Sequence, residues 1–152
     1  MPIDPTMSAD LRALFTSQLL AVLATTSPTG PYTSLVAFVV SDDLRTLAFA
    51  TARSTRKFKN MLVHRPVSLL IDNRSNRPSD FDVGLAVTVL GEAFEAHGQQ
   101  RQVLRELFLA RHPSLRPFVL DPATALMAVA VSGYVVVDRF QRACHCDMNN
   151  LC

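Results

Sequence analysis

Residues 51–60 (TARSTRKFKN) are the part of the chain best suited to bind a charged ligand. Four of the fifteen Lys and Arg residues of the chain lie in this segment. Ser54 or Thr55 can cap a helix that begins here, where unpaired backbone N–H groups and the positive end of the helix dipole would lie beside Arg56 and Lys57. Such a combination can bind a phosphate monoester. The same composition is also typical of a solvated basic helix face.

The sequence around this cluster alternates short apolar runs with turn-forming residues, which is typical of antiparallel strands. Strands are predicted at residues 21–26, 32–40, 46–51, 67–73, 84–97 and 125–141, with a bulge at Gly91. Helices are predicted at residues 7–20 with Ser8 as N-cap, from Thr55 to before Pro66, and at residues 98–112. Because strands follow one another without a helix between each pair, we expect a mainly β (α+β) protein. Its centre would be a closed six-stranded antiparallel barrel with flanking helices.

Length and composition indicate one folded domain. The chain has 152 residues, of which 49% are hydrophobic and 18% are charged. No apolar run reaches the roughly 18–20 residues that cross a bilayer, and the N-terminus lacks the basic and apolar regions of a signal peptide. We therefore expect a cytoplasmic protein without membrane association. Nucleic-acid binding is not expected, since the net charge is only +2 and Phe58 is the one aromatic residue of the basic cluster.

The chain has three cysteines, all in its last nine residues: Cys144, Cys146 and Cys152. An odd number of cysteines in a cytoplasmic protein does not indicate a disulfide framework. In an extended chain the first two cysteines would face one side and His145 the other, so these three side chains would not converge on one metal ion. We therefore predict no metal site. The chain divides into a single domain at residues 1–143 and a flexible cysteine-containing tail at residues 144–152.

The order of motifs in residues 24–72 resembles that of the pyridoxamine 5'-phosphate oxidase-like proteins, which are flavin-binding split barrels. The motifs occur in the order ATT, GPY, SLVAFVV, FAT, STRK and VSLLID. The resemblance implies a six-stranded split barrel that forms a homodimer, with one FMN in each of two clefts at the dimer interface.

The resemblance also assigns cofactor contacts to two segments. Residues alongside the isoalloxazine ring, with backbone groups offered to its edge, would be Ser34, Leu35, Val36 and Ala37. Thr51 would also contact the flavin. The FMN phosphate would be bound by Thr55, Arg56 and Lys57, which are the residues of the basic cluster discussed above. No side chain is assigned a catalytic role, because a flavin itself performs hydride or electron transfer.

The chain departs from the oxidase itself at positions that contact its substrate. Ser34 stands where the oxidase has an arginine, Val39 where it has a substrate-contacting lysine, and Ala86 aligns with a flavin-contacting glutamine. The C-terminal tryptophan of the oxidase is absent, since the chain contains no Trp. The resemblance therefore implies a relative outside the oxidase proper, closer to the general-stress-protein-like members.

These observations predict an FMN-dependent oxidoreductase that acts on an unassigned small molecule, with NAD(P)H as a candidate electron donor. The alternative is a non-catalytic module that binds or carries flavin, deazaflavin or haem. Reduction of a bound flavin by NADH or NADPH would distinguish the enzyme from the carrier.

Overall fold

The computed structural model describes residues 4–140 and 142–148. The described strands are β1 (Leu20–Ser27), β2 (Gly30–Val40), β3 (Thr46–Ala52), β4 (Pro66–Asp72), β5 (Leu85–Glu95), β6 (Thr124–Asp138) and β7 (Arg142–Asp147). The helices are α1 (Pro5–Ser17), α2 (Arg56–Val63), α3 (Asp80–Val83), α4 (Gly98–Arg111) and α5 (Arg116–Leu120), with a 3-10 turn at Pro113–Leu115 before α5. Within these residues, no helix is long and apolar enough to cross a membrane.

Six of the strands close into an antiparallel barrel. The strands follow the order β3-β2-β1-β4-β5-β6, and β3 also pairs with β6 to complete the ring. This last pairing runs from Thr46 opposite Ala130 to Ala52 opposite Thr124. The predicted six-stranded antiparallel barrel with flanking helices is therefore confirmed, and closure gives every strand of the ring a neighbour on each side.

Alternation along the strands fills the barrel with apolar side chains. Leu23, Phe38, Leu69 and Val89 are almost fully buried in one core cluster. The helix α1 adds Phe15, whose ring lies 6.1 Å from that of Phe38. Because successive residues of a strand face opposite sides, β3 and β6 also bury their outer faces. That outer face packs against a second cluster supplied by α4 and α5.

The structure decides two local predictions, the bulge at Gly91 and the N-cap of the first helix. The register between β5 and β6 shifts between Leu90 and Gly91, so the predicted bulge is confirmed. A side chain at position 91 would collide with the carbonyl oxygen of Ala130, which is why this position is a glycine. The first helix begins earlier than predicted, because Asp4 rather than Ser8 caps it. The carboxylate of Asp4 accepts a hydrogen bond from the backbone N–H of Thr6 at 2.8 Å.

The C-terminal region differs from the flexible tail that the sequence predicted from residue 144. Residues 142–147 form β7, which pairs with the second half of β6 from Asp138 opposite Arg142 to Gly133 opposite Asp147. The physical reason is the length of β6: β3 pairs only with its first half, so the backbone groups of the second half need another partner. Cys152 and the rest of the predicted tail after residue 148 lie outside the described residues.

Candidate cofactor site

Two threonine hydroxyls join the end of β3 to the start of α2. The Thr55 hydroxyl donates to the carbonyl oxygen of Ala52 at 2.8 Å and accepts from the backbone N–H of Phe58 at 3.3 Å, so Thr55 is the N-cap of α2. The Thr51 hydroxyl, which is buried, lies 2.9 Å from the Thr55 hydroxyl. Since the single proton of Thr55 is used toward Ala52, Thr51 is the donor in this pair. The network fixes the first turn of α2, whose leading N–H groups have no acceptor within the helix.

Arg56 connects this helix start to the turn between β1 and β2. Its guanidinium lies over the ring of Tyr32, 4.6 Å from the ring centroid, and its Nη2 donates to the Thr29 hydroxyl at 3.2 Å. In the described part of the chain, neither Arg56 nor Lys57 forms an ion pair with a carboxylate. The two cations thus lie at the positive end of α2 with their charges uncompensated, which is the arrangement that binds an anion.

The other cations of the basic cluster are placed differently. Arg53 forms an ion pair with Glu95 on β5, and this hydrogen bond holds the pKa of the Glu95 carboxyl below its ordinary value. Arg53 also lies 5.7 Å from the centroid of the Phe58 ring. Lys59 is exposed on the outer face of α2. The charge of Arg53 is therefore compensated within the fold, and the four cations of the segment are not equivalent.

A gap opens between β2 and β3 beside this cationic helix start. The two strands pair only from Phe38 opposite Phe49 to Val40 opposite Leu47. Residues 30–37 of β2 remain paired with β1 on the other side. Alternate residues of an antiparallel strand direct their N–H and C=O groups to each edge, so residues 34–37 present backbone donors and acceptors toward the gap. Within the described residues, no strand pairs with residues 34–37 of β2 on the side that faces the gap.

The Ser34 hydroxyl is a buried polar group that lacks a hydrogen-bond partner among the described residues. Ser34 lies opposite Leu23, a core residue, and two residues along β2 from Tyr32, on the same face and about 7 Å away. Buried hydroxyls in folded proteins are nearly always hydrogen-bonded, to protein, water or a ligand. A ligand that entered the gap between β2 and β3 could supply the missing partner.

These features occur on a chain whose sequence matches a known family. Residues 7–132 match the family model described as pyridoxamine 5'-phosphate oxidase. The chain belongs to the pyridoxamine 5'-phosphate oxidase family. The matched segment runs from α1 into β6 and includes both the gap and the start of α2, so the family resemblance read from the motifs is confirmed. A comparison with curated proteins gave no match.

Solved structures share the fold of this family member at low identity. A haem-binding protein from Mycobacterium smegmatis aligns with a TM-score of 0.83 and 16% identity, over 95% of this chain and 59% of that chain. A Clostridium acetobutylicum protein related to general stress protein 26 of B. subtilis aligns with a TM-score of 0.75 and 15% identity, over 97% of this chain and 98% of that chain. General stress protein 26 from Bacillus anthracis has a TM-score of 0.67 and 18% identity, over 86% of this chain and 93% of that chain. The chain thus spans less than two thirds of the haem-binding protein.

The structure brings most of the sequence-predicted cofactor residues of this family member to one region. Thr51 and Thr55 are hydrogen-bonded to each other, and Lys57 follows Arg56 in the first turn of α2. Ser34 faces inward near this region, while Ala37 is half-buried on the opposite side of β2. Leu35 shares the outer face of β2 with Ala37 and is 64% exposed, whereas Val36 shares the inner face with Ser34 and is buried in the core.

Sequence reasoning missed the residues that orient Arg56. Thr29 in the β1–β2 turn and Tyr32 near the start of β2 contact its guanidinium, and the available signal was the position of TGPY at a hairpin. It also missed Asn60, whose side-chain amide donates to the Thr25 hydroxyl at 3.0 Å and attaches α2 to β1. Both contacts join residues far apart in the chain, so neither spacing nor periodicity indicates them.

Proposed function

We propose that this family member binds FMN, with the phosphate at the start of α2. The first N–H groups of α2, the Thr55 hydroxyl and the side chains of Arg56 and Lys57 would bind the phosphate oxygens. The observation that carries the proposal is the gap between β2 and β3. The two strands separate beyond the Phe38–Phe49 pair, at the end where β3 leads into the uncompensated cations of α2. A charged pocket beside an open strand edge can accommodate a planar ring system attached to an anion.

The residues of the gap fit the remainder of an FMN molecule. Backbone groups of residues 34–37 offer donors and acceptors to the polar edge of an isoalloxazine ring, and the Ser34 hydroxyl gains the partner that it otherwise lacks. The hydroxyl of Thr51 donates to Thr55 and keeps its lone pairs available, so toward a ligand it acts as an acceptor. FMN, when bound, would supply hydride or electron transfer.

The reaction proposed is oxidation or reduction of a small molecule, with NAD(P)H as the candidate electron donor. The role of the chain would be to bind and orient the flavin, since in the described part of the chain the buried side chains of His112 and Tyr134 are already hydrogen-bonded to backbone carbonyl oxygens. The Nε2 of His112, for instance, lies 2.7 Å from the Phe38 carbonyl oxygen. We propose no catalytic side chain.

The outer face of the barrel supports a homodimer. Leu35 on β2, Val22 on β1 and Leu70 on β4 lie in one row across three strands. Leu35 is 64% exposed and Leu70 is 38% exposed, and Leu20 at the start of β1 adds a further exposed side chain at 53%. A contiguous row of exposed leucines on a sheet is typical of an interface. We propose that two copies of the chain associate through this face, which adjoins the residues that would contact the flavin.

An absorbance spectrum of the purified protein, with mass identification of the molecule released by heat, tests the cofactor. Flavin bands and a released mass equal to that of FMN are expected, and bleaching by NADH or NADPH would support an oxidoreductase. A Soret band with released haem, or a deazaflavin mass, would contradict the FMN proposal. If the purified protein is colourless, it is titrated with FMN and with riboflavin. Failure to bind FMN more tightly than riboflavin would also contradict the FMN proposal.

A further inference from the structure

Three sulfur atoms from opposite ends of the chain meet beside the barrel. The Cys146 Sγ lies 2.8 Å from the Met7 Sδ and 4.0 Å from the Cys144 Sγ. The two cysteines are two residues apart on β7 and therefore share a face of that strand, and α1 brings Met7 to the same face. The separation of the two Sγ atoms is about twice a disulfide bond length of roughly 2.05 Å, so the cysteines are not joined to each other.

We propose that Met7, Cys144 and Cys146 form a three-sulfur binding site for Cu(I). Thiolates and thioethers are soft ligands that favour Cu(I) over harder cations. Sulfur ligands about 2.3 Å from a metal ion, arranged in a triangle around it, are about 4 Å apart. The two Sγ atoms already have this separation. Only the Met7 thioether must move outward, and its side chain has three rotatable bonds that permit this.

The surroundings of the three sulfurs are suited to a cation. Met7 and Cys144 line a groove of about 490 Å³ between α1 and β7. The charged residues that line this groove are Asp4, Asp10, Asp138 and Arg142. Three carboxylates against one guanidinium make the groove attractive to a cation. Cys146 is 2% exposed and belongs to the core cluster against which Met7 and Cys144 pack, whereas Cys144 is half-buried and lines the groove.

The proposed site does not use His145. Alternation along β7 directs His145 to the opposite face, where it is exposed and lies opposite Val135. Among the residues that the structure describes, no group of three His, Cys, Asp or Glu side chains is close enough to hold a metal ion. The third ligand is instead a methionine from α1, which the cysteine spacing alone does not reveal. The prediction of no metal site considered only ligands within the C-terminal segment.

Binding of Cu(I) by this site would release protons. The two thiols lose one proton each to solvent and become thiolates, while the Met7 thioether remains neutral and donates a lone pair. No change of oxidation state occurs, so the step requires no oxidant or reductant. Because the proton competes with the metal for each thiolate, the affinity for Cu(I) would rise with pH.

The test uses the reduced full chain, titrated anaerobically with Cu(I) against a chromophoric Cu(I) chelator. One equivalent of Cu(I) is expected to resist the chelator, with three sulfur neighbours in its X-ray absorption spectrum. Met7→Leu preserves side-chain volume and should weaken Cu(I) binding at least tenfold. Mutation of a residue that only orients a metal ligand already lowers metal affinity roughly 10–100-fold, and Met7 would be a ligand itself. Cys144→Ser should weaken it further. Far-ultraviolet circular dichroism checks that both variants fold.

Matched variants distinguish the three-sulfur site from other binding modes. Met127→Leu changes a methionine that is buried in the barrel core, and His145→Ala removes the exposed imidazole, so both should bind Cu(I) like the natural chain. Cys152→Ser tests the third cysteine of the sequence and should also have no effect. The proposal is overturned if the natural chain holds no Cu(I) against the chelator. It is equally overturned if Met7→Leu binds normally, or if His145→Ala or Cys152→Ser loses as much affinity as Met7→Leu.

Discussion

The guanidinium carbon of Arg56 lies over the ring of Tyr32, 4.6 Å from the ring centroid. This contact joins the start of α2 to β2 across the mouth of the gap between β2 and β3. A long side chain at the surface normally loses rotamer freedom when it binds a ligand. Because Tyr32 and Thr29 already restrict Arg56, part of that loss occurs during folding rather than during ligand binding.

The first prediction concerns this restriction. Tyr32→Leu removes the aromatic face and should weaken FMN binding by about two- to fivefold, because an exposed cation–π contact contributes about 0.5–1 kcal/mol. Tyr32→Phe retains the face and should bind FMN normally. Quenching of flavin fluorescence on titration measures both affinities. Equal losses in the two variants would instead assign the effect to the Tyr32 hydroxyl.

The second prediction concerns the proposed phosphate contacts. Replacing both Arg56 and Lys57 by Ala should weaken FMN binding by about two to four powers of ten. Each charge-assisted contact contributes about 1.5–3 kcal/mol, and each power of ten corresponds to about 1.4 kcal/mol. Riboflavin has no phosphate, so its binding should change little. Titration of each flavin into the cofactor-free variant gives the two affinities.

Lys59→Ala is the matched control for the phosphate contacts, since Lys59 is an exposed cation on the same helix. Arg53→Ala is a less suitable control, because it also leaves Glu95 without its ion-pair partner. If Lys59→Ala costs as much FMN affinity as Arg56→Ala, the segment acts only as a basic surface. Equal losses of FMN and riboflavin would also exclude a phosphate site.

The third prediction is that Ser34→Ala raises the stability of the cofactor-free protein but weakens FMN binding. Ser34→Ala removes a buried hydroxyl that has no hydrogen-bond partner among the described residues, so the cofactor-free protein should become about 1 kcal/mol more stable. The same change should weaken FMN binding by about two- to tenfold, because the ligand loses a hydrogen bond of about 0.5–1.5 kcal/mol. Urea unfolding of the cofactor-free protein and flavin titration measure the two effects.

Ser27→Ala is the control for Ser34, because its hydroxyl is buried but donates to the Gly30 carbonyl oxygen at 2.8 Å. Its removal should lower the free energy of unfolding by about 0.5–1.5 kcal/mol. A Ser34→Ala variant that is destabilised by a similar amount would show that the Ser34 hydroxyl is already hydrogen-bonded in the cofactor-free protein.

The fourth prediction concerns alkaline pH. Tyr134 is fully buried and its hydroxyl donates to the Leu44 carbonyl oxygen at 2.6 Å. Burial, with the nearby Asp43 charge, raises the pKa of Tyr134 well above its ordinary value. The folded state thus keeps the phenol neutral while the unfolded chain ionises near pH 10. The stabilisation from this group is fully present below about pH 10. Above that pH, the free energy of unfolding decreases by up to about 1.4 kcal/mol per pH unit.

Tyr134→Phe isolates that contribution from other groups that titrate at high pH. The variant loses a hydrogen bond and should be about 0.5–1.5 kcal/mol less stable at neutral pH. The difference from the natural chain should then shrink as pH rises above about 10, as measured by urea unfolding at each pH. A difference that stays constant up to pH 11 would contradict a raised pKa in the folded state.

The fifth prediction concerns self-association. Leu35→Glu places a charge at the most exposed side chain of the row formed by Leu35, Val22 and Leu70, and it should convert the proposed dimer to a monomer, as measured by light scattering. Val103→Glu on α4 introduces the same charge at another apolar side chain that is 52% exposed, and it should leave the dimer intact. A natural chain that is monomeric with its cofactor bound would contradict the dimer.

Local features of the fold could be predicted from the sequence because their causes lie within a few residues. Thr55 precedes a helical pattern and caps α2, and Gly91 interrupts a strand and produces a bulge. The alternation of apolar residues likewise predicts the six strands of the barrel. In each case the backbone preference of one residue, or the pattern of its near neighbours, determines the structure.

Features that depend on distant parts of the chain could not be predicted. β7 forms because β6 extends beyond the end of β3, which requires knowing where both strands end. The ion pair of Arg53 with Glu95 makes this cation unlike Arg56, although both lie in one basic segment. The sulfur contact of Met7 with Cys146 joins the first helix to the last strand, and no local pattern indicates it.

Closure of the barrel between β3 and β6 has a consequence for the order of folding. Thr51 lies opposite Ala125, so this seam joins the first half of the chain to the last third. Contacts between distant segments form late, because the entropy of closing a long loop must be overcome before they stabilise the chain. The Thr51–Thr55 network is attached to the end of this seam. During synthesis, a ligand at the start of α2 would therefore find its site only after β6 has emerged. Its binding would then slow unfolding of the finished protein rather than accelerate folding.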